Sequence, residues 1–398
     1  MTDRLYYTDA YLQEFDARVV RVDARDGRTS VVLDRTAFYP TSGGQPFDTG
    51  LLDGRLRVID VVDDENGDVV HVVDVRAGTL AAGQTVHGAI EWTRRFDHMQ
   101  QHTGQHVLSA AIDRRYAVRT VSFHLGTESS TIDVSRELTR DELVAAEVEA
   151  NRIVWENRSV SVRFAGADEA ARLPLRKESG REGTLRLIDV DNFDLSACGG
   201  THVARTGAIG VIAIGSTERF KGGQRVEFFC GARALMKFRS MRDTLAGAVR
   251  IVSVPAGELP DALEKLQTDA RERQRVMTSL QQELARYRAA DLAASAEQLA
   301  IGRLVAAAFD ADANGLKSLA SAIVSIPGYV AVLVSTSTPA LVVVARSQDV
   351  AVAANQVIAA LTAKYGGRGG GKPDLAQAGG LHAESSDVLS FARALVLA

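Results

Sequence analysis

Cysteine is scarce in this chain: Cys198 and Cys230 are the only two in 398 residues. Two thiols cannot build a disulfide framework, so stability must come from hydrophobic cores, and a chain of this length has room for two to four of them. No apolar run approaches the about 20 residues that span a bilayer, and the start Met1-Thr2-Asp3-Arg4-Leu5 is too polar for a signal peptide. These absences predict a cytoplasmic protein with no membrane partner. A strong charge of one sign is missing too, the formal net charge being -4. That excludes a uniformly basic nucleic-acid binder and leaves only local patches to meet phosphate. Two patches stand out. Arg219, Lys221, Arg225, Arg233, Lys237, Arg239 and Arg242 enclose a single acid, Glu227, and Lys364, Arg368 and Lys372 accompany a glycine-rich run. Each reads either as an RNA contact or, more plainly, as a solvated helix face and a flexible loop.

What is present is a matched pair of short motifs. His102-Thr103-Gly104-Gln105-His106 and Cys198-Gly199-Gly200-Thr201-His202 supply three imidazoles and a thiolate, each pair spaced i, i+4. That donor set and count suit zinc. The first pair sits in a proline-free stretch with apolar Val107, Leu108, Ala111 and Ile112, where a helix would stack both rings on one face. His98 lies one further turn back, so spacing alone leaves His98 with His102, or His102 with His106, as the ligating pair. The second pair follows an expected strand at 184–190 and has adjacent glycines, which predicts a tight loop with backbone amides turned toward the ligands. Cys230 reads as a reduced core thiol.

The chain divides by character into residues 1–90, 91–245, 246–297 and 298–398. The first part is a series of short β-branched runs separated by Asp/Gly turns, the pattern of a small barrel. The second mixes helix and strand and holds the metal motifs. Within it, a helix over 139–157 opens on the capping-box sequence Thr139-Arg140-Asp141-Glu142 and carries Leu143, Ala146, Val148 and Ile153 inward. From Leu259 to Tyr287, positions Leu259, Leu263, Leu266, Ala270, Arg273, Met277, Leu280, Leu284 and Tyr287 form a heptad seam, either a helical spacer or dimerisation arm or a helix packed on its own domain. Beyond it, 330–334 and 340–345 read as buried strands, and 350–365 as a helix ended by Gly366-Gly367.

At the two metal motifs the chain resembles the free-standing AlaX-type alanyl-tRNA editing proteins of the long form, and the editing and C-terminal domains of alanyl-tRNA synthetase. The likeness extends over Cys198 to Gly210, over Leu5-Tyr6-Tyr7 and Val32 to Pro46, over Arg225 to Ala234, and over the run Gly366 to Gly380, which is similar to the DHH-associated domain. It implies an α+β multidomain fold: an N-terminal β-barrel, a zinc-binding editing domain, a long helical spacer and a C-terminal α/β DHH-associated domain that holds tRNA. It also selects His102, His106, Cys198 and His202 as the Zn2+ ligands.

The resemblance implies a hydrolase that removes serine from mischarged alanine tRNA, with glycine left open as a second substrate. The chain opens directly on the β domain, so it is expected not to charge tRNA, and it has no Asp-His-His motif of the kind found in phosphoesterases with a similar tail. Thr103 and Gln105 are the candidate catalytic residues. Thr103 is a donor to the serine hydroxyl or else a helix-surface threonine, and Gln105 stands where the synthetases often have a small hydroxyl residue. Gly43, Gly44, Gln45, His124 and Arg225 are candidate substrate contacts, with a core histidine as the alternative for His124. Four protein ligands match a closed structural zinc, whereas catalytic zinc keeps a position for water; either one ligand is loose, the site expands to five, or the metal holds substrate. The competing functions are editing of another tRNA such as serine-charged threonine tRNA, and a zinc-stapled tRNA-binding module without catalysis. A homodimer through the spacer or the C-terminal domain stays open.

Overall fold

The computed structural model describes residues 1–25, 28–74, 80–176 and 183–397. It separates into two compact units, residues 1–247 and 248–398.

The first unit begins with strands β1 (Asp3–Arg4), β2 (Glu14–Arg25), β3 (Arg28–Leu33), β4 (Arg35–Thr36), β5 (Gly50–Leu52), β6 (Leu56–Asp63), β7 (Val69–Val73) and β8 (Thr85–Ile90). β1 pairs with β4 in parallel, and the other six close a barrel in the order β2-β3-β7-β6-β5-β8. Alternation makes the barrel: Val69, His71 and Val73 point inward from β7 beside Val31, Leu33, Leu52 and Val58. His71 is the polar exception. Its Nδ1–H donates to Val31 O at 3.0 Å, and its Nε2 lies 2.8 Å from Thr36 Oγ1.

Helix α1 (Trp92–Tyr116) follows and is buried on nearly every side from His98 to Ile112. Strands β9 (Thr120–Leu125) and β10 (Ser130–Val134) lead to helix α2 (Arg140–Trp155), where the expected capping box is formed by Thr139 and Glu142. β11 (Val160–Ala165), the short α3 (Ala167–Ala170), β12 (Leu185–Val190) and β13 (Asp194–Ala197) come next, then β14 (Ile212–Phe220) and β15 (Gly223–Cys230). One antiparallel sheet has the order β14-β15-β10-β9 and another β11-β12-β13. Met99, Val107, Leu108 and Ile112 of α1 share a core with Ile132, Ile153 and Phe228. Val148 departs from expectation: it is 61% exposed, because Leu143, Ala146, Ala150 and Ile153 already define the buried stripe. Barrel and α1 are joined by Arg95, fully buried, which donates to both Asp48 oxygens and to the carbonyls of Ala10 and Ala37.

Helix α4 (Ala232–Val252) ends the first unit and enters the second, followed by α5 (Leu259–Ala294). Leu263, Leu266, Met277, Leu280, Leu284 and Tyr287 of the heptad seam are exposed. The part of α5 that packs within its own unit is the stripe Ala285, Ala289 and Ala293, seated with Leu316, Leu319 and Ile323 of α6 (Ala313–Val324). Small side chains let the two helices approach closely. The remaining elements are β16 (Glu297–Leu299), β17 (Gly302–Phe309), β18 (Tyr329–Ser335), β19 (Ala340–Arg346), α7 (Ala354–Tyr365), β20 (Arg368–Gly371), β21 (Leu375–Leu381) and α8 (Ser385–Leu397). Their six-stranded sheet runs β16-β17-β18-β19-β21-β20. β18 is buried on both faces, with Val330, Val332 and Val334 on the core shared with α7 and α8, and Ala331 and Leu333 on the core shared with α5 and α6. Two expectations are corrected here. The helix anticipated from Val350 starts at Ala354, Val350 and Val352 being packed core residues before it. The glycine-rich run is a hairpin of β20 and β21 and no loose loop, the edge strand β20 pairing in register with β21 from Arg368 with Gly379 to Gly371 with Ala376.

Candidate metal centre and cavity

Helix α1 places His102 and His106 one turn apart, and the loop after β13 brings Cys198 and His202 onto them. The donor atoms of the four residues all lie within 4.8 Å of one another. Cys198 Sγ is 3.3 Å from His102 Nε2 and 3.4 Å from His202 Nε2. The choice left open by spacing falls on His102 with His106. His98 lies outside the cluster, its Nδ1 is buried without a partner among the described residues, and burial together with Arg94, Arg233 and Arg95 pushes its pKa down to about 3.

Each imidazole is aimed by a group on its far nitrogen. Gln45 Oε1 accepts from the Thr201 amide at 3.1 Å and lies 2.8 Å from His102 Nδ1, so Nδ1 carries the proton and Nε2 is bare. Asp194 Oδ2 lies 2.9 Å from His106 Nδ1, which therefore carries a proton and is held by it. Thr103 Oγ1 accepts from the Val203 amide at 3.1 Å and stands 3.2 Å from His202 Nδ1. Outer partners of this kind fix the ring tautomers of metal-binding histidines. Asp194 is itself held by Arg176 at 2.5 Å and by Ser196; burial pushes its carboxyl up, but His106 and Arg176 outweigh that and keep it well below the usual carboxylate range.

The chemistry of the donor set fits a soft divalent ion. Burial, and then the Arg186 charge, push His102 down to about 3, and burial, then the neighbouring histidines, hold His202 well below its ordinary value, so both rings are neutral donors. Burial pushes the Cys198 thiol up, yet His106, the Gly200 amide and Arg186 together bring it below its usual range. Gly200 is required at its position. A side chain there would meet His102 Cε1 at 2.2 Å and Gln45 Oε1 at 2.9 Å, and its amide faces Cys198 Sγ at 3.4 Å, as a tight glycine loop predicts.

The cluster opens into a cavity of about 390 Å³, whose lining includes His102, His106, Cys198, Gln105, Gly43 and Phe123. Phe123 stacks on His102 with ring centroids 5.1 Å apart. Several anticipated contacts lie elsewhere. Thr103 is fully buried with its hydroxyl engaged by Val203 and His202, so it is neither a helix-surface threonine nor a donor into the cavity. Gln45 is fully buried behind His102. Gly44 backs onto β9, where a Cβ would meet Phe123 O at 2.6 Å. His124 is exposed on β9 and is neither core nor cavity lining. Arg225 is taken by Asp133 at 2.7 and 3.0 Å and lies over the Phe220 ring at 3.7 Å. It reaches the cavity wall only through Asp133, which accepts from the Ser122 hydroxyl.

The basic run is also less free than its sequence suggests. Arg233 is buried against Asp97 at 2.6 Å, Arg219 pairs with Glu137 at 2.8 Å, and Arg242 with Asp243 at 2.8 Å. In the second patch Lys364 lies 3.7 Å from the Phe391 ring centroid. Sequence reasoning missed Asp194, Arg186 and the tyrosines Tyr7 and Tyr39 of the cavity wall. Only Asp194 had a visible signal: Asp194, Ser196 and Cys198 fall at two-residue steps on one side of an extended segment.

Three protein families match segments of the chain: tRNA synthetases class II (A) over residues 7–94, the threonyl and alanyl tRNA synthetase second additional domain over 185–227, and the DHHA1 domain over 300–396. The alanyl-tRNA editing protein AlaX-L of Pyrococcus horikoshii is 28% identical over 397 residues, covering 98% of each chain. The alanine–tRNA ligase of Pyrococcus abyssi is 34% identical over 391 residues, and that of Halobacterium salinarum 38% over 403, covering 94% and 97% of this chain. The chain spans 42% and 43% of the length of those two ligases. No helix among the described residues is long and apolar enough to cross a membrane. End-to-end similarity to the editing protein, together with the additional-domain and DHHA1 matches, places the chain in the family of AlaX-type alanyl-tRNA editing proteins, to which part of the alanine–tRNA ligases is also similar.

Proposed function

We propose that this protein hydrolyses the aminoacyl ester of alanine tRNA mischarged with serine, acting in trans on the charged tRNA. The observation that carries this reading is the convergence of three imidazoles and a thiol, their donor atoms within 4.8 Å of one another, at the wall of a cavity of about 390 Å³, which gives room for the aminoacylated end of a nucleic acid.

His102, His106, Cys198 and His202 are the residues that would hold Zn2+, whose chemistry in such a site is Lewis-acid stabilisation of charge that develops on an ester carbonyl. The protein's own part is positional. Gln45, Asp194 and Thr103 hold the three rings with their Nε2 atoms inward. Phe123, packed on His102, shields one side of the cluster from bulk water. Gln105 lines the cavity and donates through Nε2 to Ser109 Oγ at 2.9 Å, which leaves Oε1 to accept the hydroxyl of a seryl group. A buried acceptor left without its hydroxyl disfavours the alanyl ester, and that supplies the discrimination. Gly43 of the Ser42–Gln45 turn forms the opposing wall.

The test is release of labelled amino acid from serine-, glycine- and alanine-charged alanine tRNA, before and after removal of metal by a chelator. Rapid loss of serine that stops on chelation and returns with Zn2+ supports the reading. Zinc-loaded protein that binds tRNA and releases nothing contradicts it.

A further inference from the structure

Three arginines line the cavity, and two of them are already neutralised. Arg4 pairs with Asp63 at 2.8 Å and Arg176 with Asp194 at 2.5 Å. Arg186, on β12, is different. It is 8% exposed, yet among the described residues no carboxylate pairs with it. Its Nε donates to Tyr7 O at 3.0 Å, and its Nη1 to Cys198 O at 2.7 Å and Gly200 O at 2.9 Å. The guanidinium lies 5.4 Å from the centroid of the Tyr7 ring. Its hydrogen-bond partners are all neutral carbonyls, Nη2 makes no hydrogen bond to a described residue, and the charge that favours it, the Cys198 thiolate, belongs to the donor set that a metal would neutralise. Burying a guanidinium that no carboxylate pairs with is costly, and a binding site is where such a cost is recovered by a ligand.

We infer that Arg186 is the anion anchor of the cavity, taking through Nη2 a phosphate oxygen of the substrate's 3′-terminal nucleotide. The loop geometry argues for a phosphate over the ester oxygen. Arg186 grips the carbonyl side of the Cys198–Gly200 loop, whereas the Cys198 thiol and the Gly200 amide are turned to the other side, toward the histidines. The anion it receives is therefore set back from the reacting carbon, as the 5′-phosphate of an aminoacylated nucleoside is. Planar, always charged and half-committed to fixed carbonyls, the side chain is held ready, so little rotamer entropy is lost on binding. Arg186 is thus a positioning residue: it fixes the nucleotide and, through it, the ester. This rests on the reading of the cavity as the seat of an aminoacylated nucleotide.

The experiment compares binding of two stable amides, 3′-serylamino-3′-deoxyadenosine and its 5′-monophosphate, to the zinc-loaded protein by titration calorimetry at fixed ionic strength. Wild type is expected to prefer the monophosphate by about ten- to a hundredfold, the scale of a hydrogen bond to a charged group. In Arg186→Gln, compared with wild type at equal zinc content, the preference should fall to near unity. Equal binding of the two amides by wild type overturns the assignment, and needs no variant to fold. A preference that persists in Arg186→Gln overturns it as well, and leaves the residue as a clamp on the Cys198 loop. If wild type binds neither amide, the aminoacyl-nucleotide reading of the cavity fails, and the anchor with it.

Discussion

Gln45 Oε1 lies 2.8 Å from His102 Nδ1 although the two residues come from the barrel's Ser42–Gln45 turn and from helix α1. The same oxygen accepts the Thr201 amide at 3.1 Å, so one buried side chain from outside the ligand motifs ties both of them together. Gln45→Ala should weaken zinc binding by about ten- to a hundredfold, the usual loss when the outer partner of a metal-binding histidine is removed. Competition with a chromophoric chelator measures this. Unchanged affinity would mean that His102 is oriented by packing on Phe123 alone.

The Arg95–Asp48 pair joins barrel to α1 with both side chains fully buried, and Arg95 Nη2 lies 2.5 Å from Asp48 Oδ2. Removing one partner strands the other charge in a dry interior. Arg95→Met should cost about 3–5 kcal/mol in urea unfolding, and Arg95→Met with Asp48→Leu should recover a substantial part of it. A double variant no better than the single one would assign the loss to the Ala10 and Ala37 carbonyls instead.

Gly104 lets α1 sit against β15, since a Cβ there would meet Cys230 Sγ at 2.2 Å. Gly104→Ala is predicted to destabilise by about 1–3 kcal/mol through overpacking, despite alanine's better helix propensity. In a Cys230→Ala background the same change should become neutral or favourable. Thermal unfolding of the four proteins closes the cycle, and additive effects would contradict the contact.

His71 sets a pH dependence in the barrel. Burial holds it at about 4 against the ordinary 6.5, opposed only by its bond to Val31 O. Its Nε2 is placed to accept from the Thr36 hydroxyl, which a protonated ring cannot do. The unfolded chain therefore binds a proton that the folded one refuses between pH 6.5 and 4. The neutral ring's contribution is complete above pH 6.5 and is lost as the pH falls toward 4, a difference of about 3 kcal/mol. Urea midpoints measured across that window should fall steeply for wild type, and by one proton less for His71→Gln. Parallel curves would place the ring in contact with solvent.

The features legible in the sequence were those with a local rule behind them. The capping box at Thr139 and Glu142, the one-turn spacing of His102 and His106, and the glycine loop at Cys198 each follow from chain geometry over a few residues. The groups that aim the ligands do not. Gln45, Asp194 and Arg186 reach the cluster from separate elements, and no spacing relates Gln45 to His102. Thr103 was misplaced for a different reason: α1 is buried on nearly every face, so its periodicity marks no surface, and a threonine on it finds internal partners. On α5 the leucine seam is the stronger periodic pattern, yet the packing against α6 is made by Ala285, Ala289 and Ala293, which stand out in no sequence pattern because they are small.

The most direct test of the account is the rate at which serine and alanine are released from alanine tRNA by wild type and by Cys198→Ala. The account predicts fast release of serine and slow release of alanine by wild type, and in the variant a fall in serine release of at least about a hundredfold together with loss of bound zinc, the tRNA still being bound. Serine release that survives in zinc-free Cys198→Ala would contradict it.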